Sequence, residues 1–107
     1  MLCVCLLYLS DAPRQVTVST YPSSAVVALN RGITLYCSSD GLPQPTYHFR
    51  HYGNILNGNK EWKLEIRNVK VKDAGNYTCE ARNFLGMKES LPTVVNVERK
   101  LIYIMKL

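Results

Sequence analysis

The strongest constraint on the fold is an alternation of apolar and polar residues that recurs in six short segments of the chain. A period of two places successive side chains on opposite faces of a β-strand, so one face is buried and the other meets water. Turn-forming residues separate the segments. We therefore predict an all-β fold, a two-sheet antiparallel sandwich. The apolar positions are Val16 and Val18; Ile33, Leu35 and Cys37; Tyr47 and Phe49; Trp62, Leu64 and Ile66; Tyr77, Cys79 and Ala81; and Val95 and Val97.

Chain length and charge exclude several classes of protein. With 107 residues, the chain is too short for a Rossmann or TIM-barrel enzyme. It also has no apolar run of the roughly 18 residues that a membrane span needs. The 13 Lys and Arg residues exceed the 8 Asp and Glu residues, but they are scattered and accompany no nucleic-acid-binding motif. We expect no nucleic acid partner, and the sequence indicates no catalytic residue, metal site or cofactor.

Two of the four cysteines, Cys37 and Cys79, lie on the inward faces of predicted strands, 42 positions apart. A disulfide between them would stabilise so small a domain by about 4 kcal/mol. The alternatives are two buried thiols, or a zinc site that would need further ligands when His48 and His51 are the only histidines. We favour the disulfide. The other two cysteines are two positions apart near the N-terminus, and we expect no structural disulfide from them.

The two ends of the chain differ from its middle. Residues 1–12 are mostly apolar, and they are interpreted as a truncated signal peptide, the end of a preceding domain, or sequence from an imperfect gene assignment. Residues 99–107 hold a short apolar run between basic residues and are interpreted as a tail: the start of a truncated membrane anchor, the extension of a strand, or a non-native segment. The domain itself is predicted to span residues 13–98.

Four segments together resemble the I-set or C2 type of the immunoglobulin superfamily. Residues 73–79 read Asp-Ala-Gly-Asn-Tyr-Thr-Cys, which matches the family signature Asp-x-Gly-x-Tyr-x-Cys. The interval between the cysteines is too short for a variable-type domain, because residues 53–60 have room for one short extra strand at most. The other matching positions are Cys37 with Gly41, Pro43 and Pro45; Leu64, Ile66 and Val69; and, after Cys79, Ala81, Asn83 and Gly86.

The resemblance implies a structural role for three residues of the signature. The hydroxyl of Tyr77 would bond to the backbone of the preceding turn and form the family's tyrosine corner. Gly75 would let the chain turn tightly there. Asp73 occupies the family position that pairs with a basic residue, and the sequence does not identify its partner.

This chain departs from the family pattern at one position of the predicted core. The family usually has a tryptophan about twelve residues after the first cysteine, where this chain has Phe49, whose ring would pack against the disulfide with less volume. The one tryptophan, Trp62, shares a predicted strand face with Leu64. We expect Trp62 to fill part of the missing core volume; the alternative is a half-exposed position at a sheet edge.

The function that the resemblance implies is recognition or spacing within a larger ectodomain. The lead-in before the first strand resembles the junctions between domains in sialic-acid-binding lectin-type receptors and hemicentins. We therefore expect a non-enzymatic, extracellular or cell-surface adhesion domain whose parent protein is membrane-anchored. Its partners would be other proteins or glycans, bound through exposed strand faces and loops. Tyr36, Tyr52 and Phe84 are the candidates for an exposed aromatic patch.

Two other functions stay open at this point. Lys63 and Arg67 fall on one outward strand face, which is typical of a site for an anionic glycan such as heparin, as in growth-factor-receptor-type ectodomains. An intracellular, muscle-type I-set domain is the other alternative, although the paired cysteines speak against it.

One modification site is also predicted. Asn76, Tyr77 and Thr78 form an N-glycosylation sequon, and the strand alternation places Asn76 on an outward face. Because the family signature produces this triplet by chance, the sequon alone does not decide whether a glycan is attached.

Overall fold

The computed structural model describes residues 9–56 and 61–99. The interpretations of residues 1–8 and 100–107, and of the two N-terminal cysteines, therefore lie outside the described residues. Asn57 and Gly58, a pair whose sequence is typical of a turn, also lie outside them. The domain boundaries at 13 and 98 stay a prediction.

Each of the six alternating segments contains a β-strand in the structure, which confirms the all-β fold. Alternation explains their burial: in β3 Ile33, Leu35 and Cys37 are buried, and the residues between them are more exposed. Short strands and one 3₁₀ turn, η1, complete the described part. The bounds are β1 Val16–Tyr21, β2 Val26–Ala28, β3 Ile33–Ser39, β4 Thr46–His51, β5 Asn54–Ile55, β6 Lys63–Ile66, η1 Val71–Asp73, β7 Gly75–Asn83, β8 Gly86–Glu89 and β9 Thr93–Glu98.

The strands form two sheets. The smaller sheet has the order β1-β3-β6, and the larger has the order β2-β9-β7-β4-β5, with β8 also paired to β7. The pairing is antiparallel except between β2 and β9, which are parallel. This exception to the predicted antiparallel sandwich arises because the chain crosses from the smaller to the larger sheet after β1 without reversing direction. β5 lies in residues 53–60, the segment for which the sequence allows one short extra strand at most.

The core lies between the two sheets and is crossed by the disulfide. Cys37 of β3 and Cys79 of β7 are joined by an S–S bond of 2.05 Å, with their Cα atoms 6.3 Å apart. The predicted disulfide is therefore confirmed. It ties the central strand of the smaller sheet to a central strand of the larger sheet. Besides Cys79, the largest fully buried side chains of the core are Tyr77, Phe49, Ile33, Leu35, Val69 and Val95.

Phe49 and Trp62 have opposite environments. Phe49 is fully buried and lies directly across the β4–β7 ladder from Cys79. Trp62 is 54% exposed, so its expected place in the core is wrong and the alternative at a sheet edge is right. The physical reason is that β6 begins only at Lys63, so the strand alternation does not extend to Trp62. Leu64, inside the strand, does pack against the core.

Candidate interaction surface

The signature residues build a rigid turn at one end of the sandwich. The hydroxyl of Tyr77 donates to the backbone carbonyl of Asp73 over 2.7 Å, which is the contact of a tyrosine corner. Burial, and then the negative charge of Asp73, raises the pKa of Tyr77 to about 12. The carboxylate of Asp73 accepts from the backbone N–H of Lys70 at 2.8 Å. Among the described residues no basic side chain forms an ion pair with Asp73.

Gly75 is needed at this turn for two reasons. Its φ of 116° lies in the region that favours glycine, and a Cβ there would collide with the ring of Tyr52. That ring lies 4.5 Å from the ring of His51, which in turn stacks on Tyr77 with a centroid distance of 4.1 Å. Tyr52 is therefore held in a stack of rings at this end, although it is 66% exposed.

The outward face of β4, β7 and β8, which we call the charged face, carries a network built on a buried carboxylate. The side chain of Glu80 is only 3% exposed. One of its oxygens accepts from Arg50 at 2.8 Å, and the other accepts from Arg82 at 2.8 Å. The hydrogen bond from Arg50, assisted by Arg82, holds the pKa of Glu80 below its usual range. The charges of this face are therefore largely satisfied within the domain.

Sequence reasoning missed this network. Glu80 and Arg82 are two positions apart in one strand, so they share a face. The sequence signal for it is an acidic residue, Glu80, on the outward face of a predicted strand. Arg82 lies on the same face of that strand, and Arg50 lies on the outward face of another. Strand pairing supplies the rest, because β4 and β7 lie side by side with Arg50 opposite Thr78.

The outward face of β1, β3 and β6, which we call the aromatic face, is different. The rings of Tyr36 and Trp62 stack with centroids 6.0 Å apart and planes inclined by 25°. In the ladders of this sheet, Tyr36 lies between Ser19 of β1 and Lys63 of β6. The half-exposed Trp62 therefore stacks on Tyr36, and the strand neighbours of Tyr36 supply a hydroxyl and a cation.

Lys63 and Arg67 are both exposed, as the heparin alternative requires. Between them on the same outward side is Glu65, whose carboxylate lies 3.7 Å from the guanidinium of Arg67. This carboxylate reduces the positive charge available to an anionic glycan. Heparin binding stays a prediction.

The three candidates for one aromatic patch do not come together. Tyr36 lies in the smaller sheet, whereas Tyr52 and Phe84 lie in turns at opposite ends of the β4–β7 ladder. The expected patch is therefore wrong. Periodicity assigns a residue to a face but does not give the distance between residues of different strands, and the aromatic neighbour that Tyr36 does have is Trp62.

At the end of the sandwich opposite the tyrosine corner, Asn83 fixes the loops. Its side-chain amide donates to the carbonyls of Asp11 at 2.8 Å and Pro43 at 3.2 Å. Its carbonyl oxygen accepts from the backbone N–H of Leu85 at 3.0 Å. The exposed side chain of Phe84 projects from this ordered turn.

Neither a metal-binding cluster nor a membrane-spanning helix occurs in the described residues. In residues 9–56 and 61–99 there is no group of three or more His, Cys, Asp or Glu residues able to hold a metal ion. The same ranges contain no helix with the length and apolar character needed to cross a bilayer.

Comparison with known proteins gives a consistent result. The profile of the immunoglobulin domain family matches residues 15–83. Vascular cell adhesion protein 1 of Canis lupus familiaris is 32% identical over 98 residues, which is 88% of this chain and 13% of that protein. Neuroglian of Drosophila melanogaster is 32% identical over 84 residues, which is 74% of this chain and 6% of that protein. The chain therefore spans a small part of the length of the curated relatives it matches.

A solved structure supports the fold independently. Extracellular domains 3–5 of Drosophila OTK align with a TM-score of 0.68 at 24% identity, covering 81% of this chain and 32% of that one. At this identity the likeness concerns the fold alone.

Proposed function

Because the chain belongs to the immunoglobulin domain family, we propose that it is a non-enzymatic recognition domain of a cell-surface adhesion protein. We further propose that it binds a protein partner through the aromatic face. The observation that carries this second step is the stacked pair of Tyr36 and Trp62 on an outward sheet face.

The chemistry of the aromatic face suits a protein partner. Tryptophan and tyrosine are enriched among the residues that contribute most to binding energy. Stacking already restricts the rings of Tyr36 and Trp62, so less side-chain entropy is lost on binding. The neighbouring Lys63 and Ser19 supply polar groups for the rim of an interface. The charged face offers fewer unpaired groups to a partner, because Glu80 already accepts hydrogen bonds from Arg50 and Arg82.

An extracellular location for the domain is part of the proposal. The Cys37–Cys79 disulfide is typical of proteins that fold in oxidising compartments. The two adhesion proteins named above resemble this chain over most of its length. Membrane anchorage of the parent protein belongs to the same proposal. Together these points favour an ectodomain over the intracellular, muscle-type alternative.

Heparin binding is the second candidate, favoured by the exposure of Lys63 and Arg67. It predicts retention on heparin that falls steeply with salt and is lost on charge reversal at both positions. Elution below physiological salt would reject this candidate.

The proposed partner surface is tested with the full chain displayed on beads, since many copies together detect weak binding. The beads are presented to an array of cell-surface ectodomains that includes the chain itself. We expect Trp62→Ser to weaken binding to a protein partner by about tenfold or more, as for other central aromatic contacts. Phe84→Ser is the matched control, because Phe84 is 64% exposed and lies at one end of the sandwich.

The two variants separate the possible outcomes. Loss of binding in Trp62→Ser with retention in Phe84→Ser supports the aromatic face. The reverse pattern assigns binding to the loops around Asn83 and overturns the proposed face. Retention on heparin with no protein partner on the array favours the second candidate.

A further inference from the structure

The charged face also contains the one Asn-x-Ser/Thr triplet of the whole sequence, at residues 76–78. Asn76 belongs to β7, and its side chain is exposed on the outward side of the strand. Among the described residues no hydrogen bond engages its side-chain amide. By contrast its backbone carbonyl accepts from the backbone N–H of Tyr52 at 3.4 Å and lies 3.0 Å from Nδ1 of His51, so the strand is held while the amide is presented to solvent.

The surroundings of Asn76 have room for an attached group and include an exposed apolar side chain. Val94 of β9 lies directly across the ladder from Asn76 and is 52% exposed. The hydroxyl of Thr78, which completes the triplet, points to the same face and donates to Glu89 at 2.7 Å. A large group attached at Asn76 would thus project outward and lie against Val94 without displacing a core side chain.

We propose that Asn76 carries an N-linked glycan, which covers the outward surface of β7 and β9 beside the charged face. In the attachment, the side-chain nitrogen of Asn76 forms a bond to the anomeric carbon of a lipid-diphosphate-linked oligosaccharide. The bond from that carbon to the diphosphate oxygen breaks, the lipid diphosphate leaves with the bonding electron pair, and the amide nitrogen gives up one proton. No oxidant or reductant takes part.

The glycan has a consequence for recognition. It shields Val94 of β9, on the sheet opposite the aromatic face. A partner of the size of a protein domain is thereby excluded from one side of the sandwich and left free to approach the other. The inference rests on the export that the proposed function requires, but it does not depend on the identity of a partner or on the aromatic face.

The attachment is tested by secreting the full chain from cultured mammalian cells behind a heterologous signal peptide. Intact mass and gel mobility are then compared before and after treatment with an amide-cleaving glycosidase. We expect a loss of mass in the wild type and in Thr78→Ser, which keeps the hydroxyl, and none in Asn76→Gln or Thr78→Ala. Disulfide-linked wild-type protein whose mass is unchanged by the glycosidase overturns the proposal. Because export is imposed, this failure would not bear on the natural location of the domain.

The shielding is tested on the same secreted material by labelling valine methyl groups for NMR. The resonances of Val94 are expected to differ between wild type and Asn76→Gln, whereas those of Val16 and Val18, in β1 of the other sheet, stay unchanged. Unchanged Val94 resonances in a glycosylated protein would overturn the shielding. Secretion of Thr78→Ser at the wild-type level shows that the site tolerates substitution, so a poorly secreted Thr78→Ala would not obscure the result.

Discussion

The charged face and the aromatic face are built on the same alternation of strand residues, yet they handle their outward side chains differently. On the charged face, Glu80 is buried between two arginines, so polar groups are paired with one another. On the aromatic face, Trp62 is 54% exposed and stacks on a single neighbour. The first arrangement contributes to the stability of the domain, whereas the second leaves binding surface exposed. Each outward face of a sandwich therefore has to be judged by what its side chains already contact.

The largest expected effect on stability comes from removing the disulfide that links the two sheets. Replacing both Cys37 and Cys79 by Ala eliminates the covalent tie between β3 and β7. We expect a loss of about 4 kcal/mol in the free energy of unfolding, because the unfolded chain is no longer constrained. Chemical denaturation followed by tryptophan fluorescence measures it. A loss below about 1 kcal/mol would mean that packing alone holds the sheets together.

Glu80→Ala tests whether the charged face contributes to stability. The change leaves Arg50, whose side chain is 27% exposed, without its carboxylate. We expect a loss of about 2–3 kcal/mol, below the range for fully buried pairs because the arginines reach water. Glu65→Ala, on the aromatic face, removes a solvent-exposed contact and should cost less than about 0.5 kcal/mol. Equal costs for the two variants would contradict the contrast between the faces.

The pH dependence of stability sharpens the same point. The folded protein lowers the pKa of Glu80, so its contribution is present above the pKa of the unfolded state and is lost as pH falls through the folded value. We expect Glu80→Gln to be less stable than wild type near neutral pH, with the difference closing below about pH 4. Urea denaturation across this pH range measures it. A difference that stays constant into acid would exclude linkage through Glu80.

Asp40 supplies the control for that experiment. Backbone N–H groups of Arg14 and Gln15 lower the pKa of Asp40 as well. Some acid sensitivity should therefore remain in Glu80→Gln, and Asp40→Asn should reduce it without affecting the charged face.

A small effect on stability is expected at Trp62, the residue proposed to matter most for binding. Trp62→Ala removes the stacking on Tyr36 and little buried surface, so we expect a loss of about 1 kcal/mol or less. Thermal unfolding followed by circular dichroism measures it. A loss of several kcal/mol would place Trp62 among the core residues after all.

The sequence predicted correctly the features that depend on the alternation of residues within a strand and on their spacing along the chain. The strands, the burial of Phe49 and the Cys37–Cys79 bond follow from alternation and spacing, since a period of two decides which side chains face inward. The resemblance to the family also predicted the tyrosine corner. The structure contains its hydrogen bond, from the hydroxyl of Tyr77 to the backbone carbonyl of Asp73.

The sequence was less informative about contacts between strands. The position of Trp62 depends on where β6 begins, a boundary that the apolar pattern does not mark. The network around Glu80 depends on which strands are neighbours, and alternation alone does not contain that information. Both features are set by tertiary pairing, and both decide which outward face is free to bind.

The parallel pairing of β2 with β9 has a mechanical consequence. The flanking backbone bonds from Asn96 to Ala25 and from Leu29 to Glu98 extend this contact at both ends. When a domain in a chain of adhesion modules is pulled from both sides, the first strands are drawn one way and the last strand the other. The parallel pair is then loaded along its length, so its bonds must yield together rather than open one after another. The early crossing of the chain between sheets therefore predicts that this contact resists tension applied at both ends of the domain.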